Sequence, residues 1–142
     1  MKDLAQIRRL RRLKERVQQH HASLAHAAER AQHAERAQAE HQALAVTALR
    51  RELDGAQDIT AAQLRLHQAR TQIALEKQHK AETKARQLAE QARQHQAESV
   101  QSLRHARALE ELEQRQLERL RAAERNAEMR ETDDRNAARR HT

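Results

Sequence analysis

Residues 52–64, ELDGAQDITAAQL, contain Gly55, the only glycine in a chain that has no proline. A glycine after a helical run favours a left-handed helix end, because it has no Cβ to clash there. Five residues later, Thr60 and Gln63 have the spacing of a capping box, in which each side chain bonds the other residue's backbone N–H. A helix stop followed at once by a helix start predicts two antiparallel helices.

This signal divides the chain into the parts of one coiled-coil domain, residues 1–142. The predicted parts are a helix over 4–54, a turn over 55–60, a longer helix over 61–132 and a frayed tail over 133–142. Ile59 and Leu64 have the positions of a hydrophobic staple across the start of the second helix. The tip of the hairpin then comprises Gly55, Asp58, Ile59, Thr60 and Gln63. A turn centred near residue 57 places residue i opposite residue 114 − i.

The composition supports a long helical structure and excludes a large globular core. The chain is 35% charged and 37% apolar, its apolar residues are mostly alanine, and it has no aromatic residue. Aromatic side chains dominate ordinary cores, so a compact domain lacks its usual material here. Alanine, leucine, arginine, glutamine and glutamate favour helices, and such compositions are typical of coiled coils. The predicted fold class is therefore all-α: an antiparallel coiled-coil hairpin whose second helix is longer.

Apolar residues recur at spacings of three, four and seven, which predicts the packed face of each helix. The predicted face of the first helix is Leu10, Leu13, Val17, Leu24, Ala27, Ala31, Ala34, Val46, Leu49 and Leu53. The predicted face of the second helix is Leu66, Ala69, Ile73, Ala85, Leu88 and Ala92. His20, His41 and Lys80 interrupt these patterns, so we expect marginal stability.

The sequence predicts neither catalysis nor a cofactor. One glycine cannot form the glycine-rich loops that hold phosphates, and two thin helices offer no water-excluding pocket for catalysis. No two of the ten histidines are three or four residues apart, the spacing with which one helix binds zinc, so no metal site is expected. There is no secretory signal or transmembrane stretch of 18 apolar residues, which favours a cytoplasmic location.

The start of the chain is strongly basic, with seven lysines and arginines against two acids in residues 2–16. Such a segment suits nucleic-acid phosphates, an anionic membrane surface or an acidic protein partner. It is equally compatible with a solvated helix face. The absence of aromatic side chains for base stacking argues against specific nucleic-acid recognition.

Several features resemble the stalk proteins of type III secretion systems, the YscO/HrpO group and their flagellar relative FliJ. They are the basic start LAQIRRLRRLKERV (4–17), the break LDGAQDIT (53–60), the longer second helix and the charged end EMRETDDRNAARR (128–140). The resemblance implies a non-enzymatic, monomeric hairpin that inserts into a hexameric secretion ATPase. It also implies contacts with the export gate and export chaperones, and a position at the cytoplasmic face of the inner membrane.

For such a stalk, we expect the end that carries the chain termini to bind the ATPase. The predicted partner-binding residues are Arg8, Arg9, Arg11, Arg12, Arg16, Leu112, Leu117 and Leu120. The tip would bind a different partner, the export gate. Two alternatives remain open from the sequence: a coiled-coil adaptor that forms stable oligomers, and a nonspecific nucleic-acid binder.

Overall fold

The computed structural model describes residues 2–141, which form two antiparallel helices packed against each other. Helix α1 spans Lys2–Gly55 and helix α2 spans Ala61–Arg140. The predicted all-α hairpin with a longer second helix is therefore confirmed. The helices exceed their predicted bounds, since α1 begins at Lys2 and α2 continues through residues 133–140 of the predicted frayed tail.

Continuation of α2 to Arg140 has a simple physical reason. Residues 133–140 include no glycine or proline that would end the helix. Arg139 and Arg140 lie in the last turn, where positive charge is favourable beside the helix C-terminus. The Arg135 guanidinium also lies 2.5 Å from the Glu131 carboxylate one turn earlier. Thr142, the last residue of the predicted tail, lies outside the described residues.

The prediction of a left-handed conformation at Gly55 is wrong. No glycine in the described chain has a positive φ angle, and Gly55 is the last residue of α1. The Ala56 N–H instead donates to the Leu53 carbonyl at 3.3 Å, which tightens the last turn. A Cβ added at Gly55 would meet no atom within 4 Å. The helix therefore ends here without a conformation that requires glycine.

The predicted capping box at the start of α2 is confirmed. The Gln63 N–H donates to Thr60 Oγ1 at 3.2 Å, and the Thr60 N–H donates to Gln63 Oε1 at 3.1 Å. The Leu64 N–H donates to the Thr60 carbonyl at 3.0 Å. A contact between His67 Nε2 and the Leu49 carbonyl then joins the first turns of α2 to α1.

Contacts within the chain form two compact units, each containing part of both helices. The turn unit comprises residues 20–98, and the terminal unit comprises residues 2–19 together with 99–141. We call the packed face within each unit its seam.

The seam of the turn unit follows an unbroken heptad pattern, with alternating spacings of three and four residues. Every residue at these positions is buried or half-buried. In α1 they are His21, Ala25, Ala28, Gln32, Glu35, Ala39, Gln42, Val46, Leu49 and Leu53. In α2 they are His67, Thr71, Ala74, Gln78, Ala81, Ala85, Leu88, Ala92 and His95. Alanine at most of the buried positions permits close approach of the two helices.

The seam of the terminal unit has the same spacing but contains more polar side chains. Its members are Leu4, Ile7, Arg11, Lys14, Gln18, Ser99, Ser102, Ala106, Leu109, Glu113 and Gln116. Across the seam, Gln18 Nε2 donates to Ser99 Oγ at 3.4 Å, and Ser99 Oγ donates to the Gln18 carbonyl at 3.3 Å. Hydrogen bonds and ion pairs therefore replace part of the usual apolar packing.

The predicted packed faces were partly wrong. Leu10, Leu13, Leu66 and Ile73 are exposed, and so are Ala27, Ala34 and Ala69. The prediction placed large apolar residues at the contacts between the helices. The observed seam consists mainly of alanine and polar residues. Predictions at Val46, Leu49, Leu53, Ala85, Leu88 and Ala92 are confirmed, since these residues occupy the seam.

The alignment of the helices also differs from the predicted 114 − i rule. Leu49 contacts His67 rather than residue 65, and Arg8 contacts Glu113 rather than residue 106. Part of the difference arises because the turn between Gly55 and Ala61 is centred near residue 58. The rest reflects the long Arg8 side chain, since helical side chains lean toward the N-terminus of their own helix.

Candidate functional site

A buried carboxylate, Glu113, organises the basic start of α1 within the terminal unit. Arg8 Nε donates to Glu113 Oε1 at 2.7 Å. Arg11 Nη1 lies 2.6 Å from Glu113 Oε2 in a close ionic contact, although that oxygen makes no well-aligned hydrogen bond within the described chain. Arg11 Nε also lies 3.6 Å from Glu15 Oε1. Two of the five predicted partner-binding arginines are therefore engaged within the hairpin.

These arginines lower the pKa of Glu113 below its ordinary value of 4.5. The largest cause is the hydrogen bond from Arg8 to the charged carboxylate, and burial of the carboxyl acts in the opposite direction. The positive charges of Arg11, Arg8 and Arg12 lower the pKa further. Glu113 consequently stays ionised at neutral pH, and its charge is compensated inside the seam.

The other three predicted arginines lie outside the seam. Arg9, Arg12 and Arg16 are exposed and surround two exposed leucines, Leu10 and Leu13, which are 46% and 53% exposed. Together with Gln6 they border a shallow concavity on the surface of α1. We call Arg9, Leu10, Arg12, Leu13 and Arg16 the arginine face. It combines exposed apolar surface with positive charge.

The three leucines predicted on α2 do not form a single binding face. Leu112 and Leu120 are exposed, whereas Leu117 is half-buried. At 100° per residue, Leu112 and Leu117 flank the seam on opposite sides, and Leu120 continues the line of the seam. Every residue from 123 to 141 is exposed, so the end of α2 presents its whole circumference to solvent.

The predicted tip residues form the turn and the capping box rather than a deep site. Leu53, Asp58, Ile59, Gln63 and His67 are among the residues that border a shallow concavity beside the turn. Gly55 ends α1 next to it. Ile59 and Leu64 are both exposed, so apolar side chains are available at this end of the turn unit.

The turn unit contains a cluster that the sequence analysis missed. Nδ1 of His21, from α1, lies 2.9 Å from Glu98 Oε2, and Nδ1 of His95 lies 3.8 Å from the same oxygen. The His21 and His95 rings are stacked, with centroids 6.1 Å apart. Spacing along one helix does not reveal this cluster, because His21 and His95 come from different helices. Their shared seam positions would have been the detectable signal.

Within residues 2–141, neither helix contains an apolar stretch that could span a lipid bilayer. Comparisons of the chain with protein-family models, with curated proteins and with solved structures found no match.

Proposed function

We propose that this chain is a non-enzymatic coiled-coil protein that binds a protein partner through the arginine face. The single observation that carries the proposal is the division of the basic segment. Arg8 and Arg11 stabilise Glu113 in the seam, whereas Arg9, Arg12 and Arg16 surround exposed leucines on the outer side of α1. If these arginines served only to keep the helix soluble, exposed leucines between them would have no purpose.

The chemistry of the arginine face indicates a partner with an apolar groove and acidic edges. Burying the remaining exposed surface of Leu10 and Leu13 would contribute about 1 kcal/mol each, about half the value for a fully buried leucine. Arginine is enriched among the residues that dominate binding energy at interfaces. The net charge of +7 would also speed association with an acidic surface.

The specific form of this proposal is a stalk of a type III secretion system, as the family resemblance suggests. In this form the terminal unit binds the hexameric secretion ATPase and stimulates its ATP hydrolysis. The turn residues around Gly55 and Ile59 bind the export gate, and export chaperones are further partners. The protein would act as a monomeric hairpin at the cytoplasmic face of the inner membrane.

The test is a binding and hydrolysis assay with a purified type III secretion ATPase. The triple variant R9E/R12E/R16E should bind at least about tenfold more weakly, since losing about 1.4 kcal/mol of binding energy has that effect, with unchanged helicity. The matched control is R30E/R50E/R70E, which changes three exposed arginines of the turn unit and alters the net charge equally. If both triple variants lose affinity to the same extent, net charge rather than the arginine face drives binding.

A coiled-coil adaptor is the alternative, and the exposed Leu10 and Leu13 favour it if two copies pair through them. Sedimentation equilibrium distinguishes the two functions, because an adaptor forms a stable oligomer that Leu10→Ala and Leu13→Ala dissociate. Both the stalk and the adaptor functions would be contradicted if the protein is a monomer that does not bind the ATPase and binds nucleic acid with a steep salt dependence.

A further inference from the structure

Three side chains of the turn unit, His21 from α1 and His95 and Glu98 from α2, converge on one another across the seam. We propose that they form a binding site for a divalent transition-metal ion, with Zn²⁺ as the representative ion, that joins α1 to α2. One nitrogen from each histidine and one Glu98 oxygen lie within 4.8 Å of one another. The inference is independent of any partner of the arginine face.

The distances in this cluster match the size of a zinc site. Zinc binds histidine nitrogen at about 2.0–2.1 Å and carboxylate oxygen at about 2.0–2.2 Å, so neighbouring ligand atoms of a tetrahedral site are about 3.4 Å apart. The separations from Glu98 Oε2, 2.9 Å to His21 Nδ1 and 3.8 Å to His95 Nδ1, lie on either side of that value. Small side-chain rotations are enough to bring the three atoms around one ion.

The state of the two histidine nitrogens also points to a ligand. Nδ1 of His21 and Nδ1 of His95 are both shielded from solvent, yet within the described chain neither makes a hydrogen bond of good geometry. Shielded polar atoms normally have a partner, because leaving them unsatisfied destabilises the protein. A metal ion that accepts both lone pairs provides that partner.

The donor set selects the class of ion. Two imidazoles and one carboxylate are a common ligand set of zinc sites that keep a position open for water. Calcium and magnesium prefer oxygen ligands alone, so they fit this cluster poorly. Glu98 is more than half exposed, which leaves an entry path and room for water on the ion. The two histidines lie on the seam, so a bound ion stabilises the packing of the turn unit.

The chain provides a matched control for the test. His26 and Glu29 are also three residues apart on one helix, with His26 Nδ1 3.8 Å from the Glu29 carboxylate. This pair reproduces the spacing and distance of His95 and Glu98 but belongs to no three-residue cluster within the described residues. If a histidine and a glutamate one turn apart were enough to bind zinc, both pairs would bind it.

The experiment is isothermal titration of the full chain with ZnCl₂ at pH 7.5, together with thermal unfolding followed by circular dichroism. The wild type should bind one Zn²⁺, and zinc at 100 times its Kd should raise Tm by about 10 °C. H21Q and H95Q should each weaken binding at least about tenfold, since losing even an outer-shell partner of a ligand costs about 10- to 100-fold. H26Q should bind like the wild type.

Circular dichroism of each variant without zinc establishes that it is folded before its affinity is interpreted. The proposal is overturned if the wild type shows no saturable binding. It is also overturned if H21Q and H95Q bind zinc as tightly as the wild type, or if H26Q weakens binding as much as they do.

Discussion

Two aliphatic residues of α1, Val46 and Leu44, provide a sharp test of the seam. Val46 is 5% exposed, whereas the larger Leu44, two residues away, is 69% exposed. Val46→Ala removes two methyl groups from the seam, which costs about 1.6 kcal/mol at about 0.8 kcal/mol per group. Alanine recovers about 0.6 kcal/mol through its better helix propensity. We therefore expect Val46→Ala to lower the free energy of unfolding by about 1 kcal/mol.

Leu44→Ala removes more atoms but should change the free energy of unfolding by less than about 0.5 kcal/mol, as is usual for exposed positions. Urea unfolding followed by circular dichroism measures both variants, and the slope m should stay equal to that of the wild type. Thermal unfolding should show Val46→Ala melting about 3–4 °C lower. If Leu44→Ala destabilises the protein as much as Val46→Ala does, the heptad seam described above is incorrect.

Three further predictions concern the turn and the ion pairs. Thr60→Ala should lower the free energy of unfolding by about 1 kcal/mol, because the capping box loses one partner; equal urea midpoints for variant and wild type would contradict this. Gly55→Ala should raise the free energy of unfolding by about 0.5 kcal/mol, because the residue is already helical and the added Cβ is unobstructed; a lower urea midpoint would show that glycine is required. Glu113 has a lowered pKa in the folded state, so its stabilising contribution is complete above pH 4.5 and is lost as the pH falls through the folded value. Glu113→Gln should therefore lower Tm at pH 7 and flatten the decline of Tm below pH 4.5, and parallel Tm profiles for the two proteins would refute the assignment.

The hairpin was predictable because its signals are local. The reciprocal bonds of Thr60 and Gln63 depend on four consecutive residues, and the composition alone favours long helices and excludes a large globular core. The seam was less predictable, because sequence reasoning assigns leucine and isoleucine to contacts. In this chain Ile73 is exposed and its neighbour Ala74 is buried, a shift of one residue that apolar periodicity cannot detect among so many alanines.

The division of the arginines could not be derived from the sequence for a related reason. Arg8 and Arg9 are chemically identical neighbours, and their roles differ only because a carboxylate 105 residues away, Glu113, lies across the seam. The cluster of His21, His95 and Glu98 could not be derived from the sequence for the same reason, because its residues come from both helices. Both features depend on the alignment of the two helices, which the turn length determines only to within a few residues.

Glu113 has a further consequence for how the two helices stay aligned. Coiled-coil helices can slip past each other by whole heptads, about 10 Å for seven residues at 1.5 Å each, and neighbouring seam positions of α2 such as Ser99 and Ala106 are small and uncharged. Slippage by one heptad would place Ala106 or Leu120 near Arg8 and Arg11 and leave the Glu113 charge uncompensated. A single charged residue at such a position specifies one alignment at some expense in stability. Within the few residues of freedom that the turn leaves, Glu113 therefore favours the alignment in which its carboxylate faces Arg8 and Arg11.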